Sequence, residues 1–532
     1  MVSNRTPMIS RRNLLKALPV LPVTGFFGSA EGKPNSETLQ PISQIRKPKS
    51  IYTSIGVRPI INARGTVTIL GATRTLPEVK QAMEDASKDY VQLDELMDGV
   101  AKRLAELTAA DWGIVTSGAS AAITAATAAC IGGGDPDKLW KIPDLTSMKD
   151  EVIIPSYSRT AYEAAARAVG VKMIEVKDAE ALSNAIGPQT AMVLVLAGGR
   201  ASNGPLSLKE IVSIAKPRGV PVLVDAAAED LPVPNPHLSQ GADMVAYSGG
   251  KCLRGPQCAG LLLGRKDLVS AAWISMAPHH GFGRGFKVGR EEIMGMLTAV
   301  EMWMKRDHAE EQRTWTSWAE HIANRLANIQ GVTTQIRQPV GLSNHAPSLR
   351  VEWDIKTIHL TGYDAEQLLW NGDPRIAVSG AGSFLPFPPN MQPNIAIYPS
   401  QLRAGEEQII ADEVFKILND PPQIKRPGGA PDTDVSGQWD IEIKFAASKA
   451  NQTFVFEQKE NILRGTHHGS FAPRDLTGSI YGRNILVRSS YTRQGVRLNF
   501  EFTGVADGDT MSGEVSMGEY GTAEWAARRH RY

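Results

Sequence analysis

Two stretches decide the fold: Pro221-Val222-Leu223-Val224-Asp225-Ala226-Ala227, and Asp243-Met244-Val245-Ala246-Tyr247-Ser248-Gly249-Gly250-Lys251. Each holds a short apolar run bounded by turn residues, the pattern of a buried parallel strand. The first run ends in a carboxylate. The second enters a Gly-Gly turn that delivers a lysine 26 residues after that carboxylate. Side chains at the carboxyl ends of neighbouring parallel strands meet in the crevice where α/β sheets bind ligands.

Pyridoxal 5'-phosphate (PLP) needs that pair, a lysine for the imine to its aldehyde and an acid against its pyridinium nitrogen. Taken singly, Asp225 also reads as a helix cap and Lys251 as a solvated turn lysine. Three alanines after Asp225 argue for burial, and a buried carboxylate requires a cationic partner. Ala227 is then expected to pack flat on the ring. Thr116-Ser117-Gly118-Ala119-Ser120 closes another strand and opens an Ala-rich helix. Its free N–H groups and positive helix end suit a phosphate, so Ser117, Gly118 and Ala119 are candidate phosphate binders, joined by the Ser248 hydroxyl.

Outward from these stretches, strands expected at 113–116, 151–155, 171–176, 191–196 and 220–225 alternate with helices. That rhythm describes an α/β protein, a mainly parallel sheet between helices. Ser207-Leu208-Lys209-Glu210 is a capping box. Long helices are expected near 290–330, then a smaller α/β domain with strands at 348–353, 375–378 and 394–398. The large domain spans about 75–300 and the small one about 51–74 and 301–420. A Pro/Gly linker at 421–434 leads to 435–532, where about eight period-2 strands are expected to close into a small antiparallel β-barrel. Trp439, near its start, reads as a core plug, and Arg528-Arg529-His530-Arg531 as a solvated tail.

The chain has 532 residues, a formal net charge of +1, 42% hydrophobic and 21% charged residues. That balance excludes a global pull toward nucleic acid, and none is expected as a partner. Ser10-Arg11-Arg12-Asn13-Leu14-Leu15-Lys16, an apolar stretch at 17–27 and Gly28-Ser29-Ala30 read as a twin-arginine export signal over 1–30. The stretch is too short for a membrane helix, so no stable membrane anchor is expected. A linker at 31–50 follows, and the mature protein is expected in the periplasm or outside the cytoplasm. Cys130, Cys252 and Cys258 form no disulfide framework. His279-His280 and His467-His468 lack zinc spacing, and adjacent strand residues face opposite ways, so no metal is expected.

Ser248-Gly249-Gly250-Lys251-Cys252-Leu253-Arg254-Gly255-Pro256 resembles the lysine segment of fold-type I PLP-dependent enzymes. The group it is most similar to contains bacterial selenocysteine synthase (L-seryl-tRNA selenium transferase) and D-glucosaminate-6-phosphate ammonia-lyase. Ile61-Asn62-Ala63-Arg64-Gly65-Thr66, Asp225-Ala226-Ala227-Ala228-Glu229 and Lys287-Val288-Gly289-Arg290-Glu291-Glu292-Ile293 share the resemblance, which spans roughly 51–420. It implies Lys251 as the cofactor-linked lysine, Asp225 as the pyridinium partner, Ser117 to Ala119 at the phosphate, and a homo-oligomer with its site at the subunit interface.

Some group is expected over the open ring face, and Tyr157, Arg159 and Tyr162 are the candidates. Arg375 stands where related enzymes hold a substrate carboxylate, Arg64 lies in an early segment lining the pocket, and Arg284 and Lys287 are placed to reach phosphate from a neighbouring subunit. The expected activity is a lyase performing α,β-elimination on a small amino acid or amino sugar acid. A racemase, epimerase or aminotransferase-like enzyme is the alternative. Selenium transfer fits as a family label only, because an exported, non-basic chain meets no aminoacyl-tRNA. An inactive ligand-binding protein would not need both Asp225 and Lys251.

Overall fold

The computed structural model describes residues 50–381 and 392–531, so the expected export signal lies outside the described residues. A first unit ends at Arg58, and its described part is one 3-10 turn, Ile51–Ile55, capped by the Ser50 hydroxyl. The second unit, Pro59–Tyr532, holds all other elements.

There β1 (Ile60–Asn62) precedes a seven-stranded sheet of β2 (Trp112–Thr116), β3 (Glu151–Pro155), β4 (Lys172–Val176), β5 (Thr190–Leu196), β6 (Val222–Asp225), β7 (Met244–Ser248) and β8 (Gly260–Gly264). The order is β2-β8-β7-β6-β5-β3-β4. Only β8 runs against its neighbours, β2 and β7. Two reversals restore direction, so the carboxyl ends of β2, β3, β6 and β7 share one sheet edge. The Val and Leu runs of β5 and β6 are buried almost throughout, as strands covered by helices on both faces must be. The helix Ala119–Gly132 is buried nearly all round, and its alanines let it lie close on the sheet. The capping box at Ser207 forms as expected.

The smaller lobe pairs β1 in parallel with β11 (Arg375–Ala377). Beside them β9 (Val332–Arg337), β10 (Ser348–Trp353), β12 (Ser379–Ala381) and β13 (Asn394–Ile397) form an antiparallel sheet ordered β12-β13-β10-β9. Helices His308–Leu326 and Glu406–Asn419 pack on it around a core that contains Trp353.

Past the linker, β14 (Gly437–Lys444), β15 (Lys449–Lys459), β16 (Ile462–His468), β17 (Pro473–Tyr481), β18 (Asn484–Arg493), β19 (Val496–Asp507), β20 (Thr510–Ser516) and β21 (Thr522–Arg529) form a closed barrel. Pairing of β14 with β21 removes both edges. Trp439 is fully buried and its indole N–H donates to the Val435 carbonyl at 2.8 Å. Arg529 departs from the expectation of a solvated tail, while Arg528 and Arg531 are exposed. Arg529 donates to the carbonyls of Asp434 and Ser436 and to the Asp509 carboxylate, and lies 4.5 Å over Trp439. Arg529 thus reinforces the closure that the β14–β21 ladder makes.

Candidate active site

The topology brings the residues at the ends of β2, β3, β6 and β7 to one edge. Asp225 closes β6, flanked by Leu196 of β5 and Ala246 of β7. It is 7% exposed, and one carboxylate oxygen accepts from the Ala227 N–H at 3.1 Å. Among the described residues its second oxygen takes no hydrogen bond. Burial raises its pKa, and the Lys251 charge opposes that rise.

Lys251 arrives through a turn with no room for side chains. A Cβ on Gly249 would lie 2.7 Å from both the Ala259 carbonyl oxygen and the Met296 sulfur. The Gly-Gly pair is therefore a matter of close approach, and it fixes where the lysine leaves the strand. Burial lowers the Lys251 pKa, while Asp225 pulls it back up. A lysine so placed keeps more of its neutral, nucleophilic amine than one in water.

At the end of β2, Gly118 adopts φ +91°, and a Cβ there would meet nothing within 4 Å. The helix that follows has no side-chain cap, so its first N–H groups face that open space. Ser117 and Gly118 are partly exposed beside it, Ala119 is buried, and Ser248 is half-buried at the end of β7. The Ser248 N–H donates to the Ala227 carbonyl at 3.4 Å, which ties the lysine turn to the alanine after Asp225. The open cradle, the buried acid and the half-buried amine fit PLP: the backbone at Gly118 would hold its phosphate, Asp225 would pair with its ring nitrogen and Lys251 would supply the amine for its aldehyde.

Beyond β3 the three candidates for the ring face separate. Tyr162 stands with its ring centroid 5.9 Å from the Lys251 Nζ. Tyr157 is turned away, its hydroxyl donating to the Leu206 carbonyl at 2.9 Å. Arg159 is committed to Glu163 at 2.5 Å and Glu175 at 2.8 Å. Glu163 is buried in that network, which holds the Arg159 guanidinium in an ion-pair role.

The outlying basic residues are spread more widely. Arg64 is 3.6 Å from Glu366 in the small lobe. Arg375 lies 4.9 Å over Trp370, with a buried Nε that has no hydrogen-bond partner. Arg284 and Lys287 are exposed in the loop before the helix Arg290–Lys305. Sequence reasoning missed a buried polar network behind Asp225. Glu229 lies 2.6 Å from His237 Nε2 and accepts from the Ser343 hydroxyl, and Asn235 donates to the Tyr247 hydroxyl at 2.7 Å. Its only sequence signal was the acid after Asp225-Ala226-Ala227-Ala228. Cys252 points its thiol at the Glu229 carbonyl, 2.8 Å away.

The pattern of the family described as Cys/Met metabolism PLP-dependent enzyme matches residues 66–274. The chain is 31% identical over 335 residues to D-glucosaminate-6-phosphate ammonia lyase of Salmonella typhimurium (strain 14028s / SGSC 2262), covering 61% of this chain and 88% of that protein. It is 30% identical over 299 residues to 5'-C-glycyluridine monooxygenase-decarboxylase of a Streptomyces species, covering 54% and 73% respectively. A solved structure of D-glucosaminate-6-phosphate ammonia-lyase matches with TM-score 0.60 and 28% identity, over 70% of this chain and 99% of that one.

Proposed function

The chain belongs to the PLP-dependent, fold type I family that includes D-glucosaminate-6-phosphate ammonia lyase, and within it we propose a lyase that releases ammonia from a small amino acid or amino sugar acid by α,β-elimination. The observation that carries this reading is the half-buried amine of Lys251, 5.9 Å from the ring centroid of Tyr162 and electrostatically coupled to the buried acid Asp225. PLP, when bound, supplies the electron sink that makes an α-proton removable.

The chain's own residues do the rest. Lys251, once free of the cofactor, would be the base whose Nζ takes the α-proton. The same Nζ then returns a proton to the departing β-hydroxyl, which leaves as water. Hydrolysis of the resulting unsaturated amine gives a keto acid and ammonia. Asp225 would hold a proton on the ring nitrogen. Arg64 and Arg375 are assigned to the substrate's carboxylate or phosphate, and Arg284 and Lys287 to the same groups across a homo-oligomer interface.

Incubating PLP-loaded protein with D- and L-amino acids, amino sugar acids and D-glucosaminate 6-phosphate tests the reading. Ammonia with equimolar keto acid supports it. Inversion without ammonia, or carbon dioxide release, replaces it with a racemase or a decarboxylase. The export proposal has its own test: changing Arg11 and Arg12 to lysine is expected to keep the protein in the cytoplasm. Unchanged fractionation would remove that proposal.

A further inference from the structure

Inside the barrel, one cross-strand pair departs from the apolar lining. Arg474 of β17 stands opposite His467 of β16, and both turn inward. His467 is fully buried, with Nδ1 2.7 Å from the Ser489 hydroxyl and Nε2 2.5 Å from Gln452 Oε1. Burial, then the charges of Arg474 and His468, push its pKa down to about 3, so the ring is neutral near pH 7.

Arg474 is 6% exposed and lies 4.4 Å over Tyr491 and 4.3 Å over Phe500. The guanidinium has a hydrogen bond with the Tyr491 side chain, while its Nε and one terminal nitrogen are buried without a hydrogen-bond partner. Among the described residues no carboxylate pairs with it, and Asp475, next in sequence, faces outward. A guanidinium withdrawn from water with two orphaned donors needs an anion, since aromatic faces return only part of its lost hydration. Arg474 is the first inward residue after the turn at 469–472, and Tyr491 the last inward residue before the turn at 494–495. The cation therefore sits near the end of the barrel that carries the turns at 469–472 and 494–495.

We propose that the barrel carries an anion site of its own, in which Arg474 forks a carboxylate or phosphate group borne on a small apolar or aromatic molecule packed against Tyr491 and Phe500. The site is separate from the phosphate cradle at Gly118.

Calorimetric titration of the full-length, PLP-loaded protein, with the cradle filled, tests it using benzoate, phenyl phosphate and inorganic phosphate, with benzyl alcohol as the neutral control. An aromatic anion is expected to bind, benzyl alcohol is not, and Arg474→Met should weaken binding at least tenfold. Preference between benzoate and phenyl phosphate identifies the anionic group. Inorganic phosphate binding equally well, and losing its affinity in Arg474→Met, keeps the site and makes the free anion its ligand. Thermal melts guard against a folding artefact: the anion should raise the wild-type melting temperature and leave that of Arg474→Met or Arg474→Lys unmoved. No anion binding by the wild type, or binding undiminished in both variants, overturns the proposal.

Discussion

Gly495, at the turn between β18 and β19, packs against the backbone of Thr160, two residues before the tyrosine that stands over Lys251. A Cβ on Gly495 would lie 2.5 Å from the Thr160 nitrogen and 2.6 Å from its carbonyl oxygen, at φ +74°. Beside it the Arg167 guanidinium donates to the Gln494 side chain at 2.7 Å. The barrel is thus docked on the segment that presents Tyr162. Gly495→Val is expected to cost about 1–3 kcal/mol in backbone strain and to free that segment. Acrylamide quenching of bound-cofactor fluorescence should rise, and kcat/KM should fall about tenfold. Wild-type quenching and kinetics in the variant would uncouple the barrel from the site.

Tyr162 and Arg159 are expected to separate cleanly. Tyr162 is more than half exposed, so Tyr162→Ala should fold normally yet lose ten- to a hundredfold in turnover. Arg159→Met removes the nearer of two arginine partners of buried Glu163, leaving Arg167 at 3.7 Å, and is expected to cost about 1–3 kcal/mol of stability. Thermal melts and steady-state kinetics on both variants check this. The reverse pattern would return Arg159 to the ring face.

Asp225→Asn keeps the volume and removes the charge. In protein freed of PLP, the variant should melt no lower than wild type, because burial already disfavours the Asp225 carboxylate. With PLP added, the rise in melting temperature should shrink and turnover fall by at least about a hundredfold. Equal stabilisation of both proteins by PLP would count against the assigned ring-nitrogen contact.

His467 gives the barrel a pH dependence with a fixed sign. Its pKa is pushed down to about 3 in the fold, against 6.5 when unfolded. The unfolded chain therefore gains its proton first as pH falls, and the stability present above 6.5 is lost progressively toward 3. Linkage puts the full loss on the order of 5 kcal/mol. Denaturant melts of wild type and His467→Gln between pH 7 and 4 should converge as pH falls.

How much of this was legible in the sequence varies with the physics of each element. Asp225 and Lys251 were readable because a buried strand must be apolar until its end, so a charge there stands out. All eight barrel strands showed, since period-2 alternation is the direct consequence of one wet and one dry face. β8 did not, because Gly260-Leu261-Leu262-Leu263-Gly264 has no periodicity and lies close behind the lysine turn. The split between Arg159 and Tyr162 was also hidden. Which side chain turns toward Lys251 depends on Glu163 and Glu175, and their reach is set by tertiary packing. Arg529 looked like a tail residue because its partners, Asp434, Ser436 and Asp509, are far away along the chain.

The most direct measurement is borohydride reduction of the PLP-loaded protein followed by peptide mass mapping. The pyridoxyl group is expected on Lys251, with the visible cofactor band absent in Lys251→Ala. A label on another lysine, or a spectrum that survives the Lys251→Ala change, would contradict the assignment.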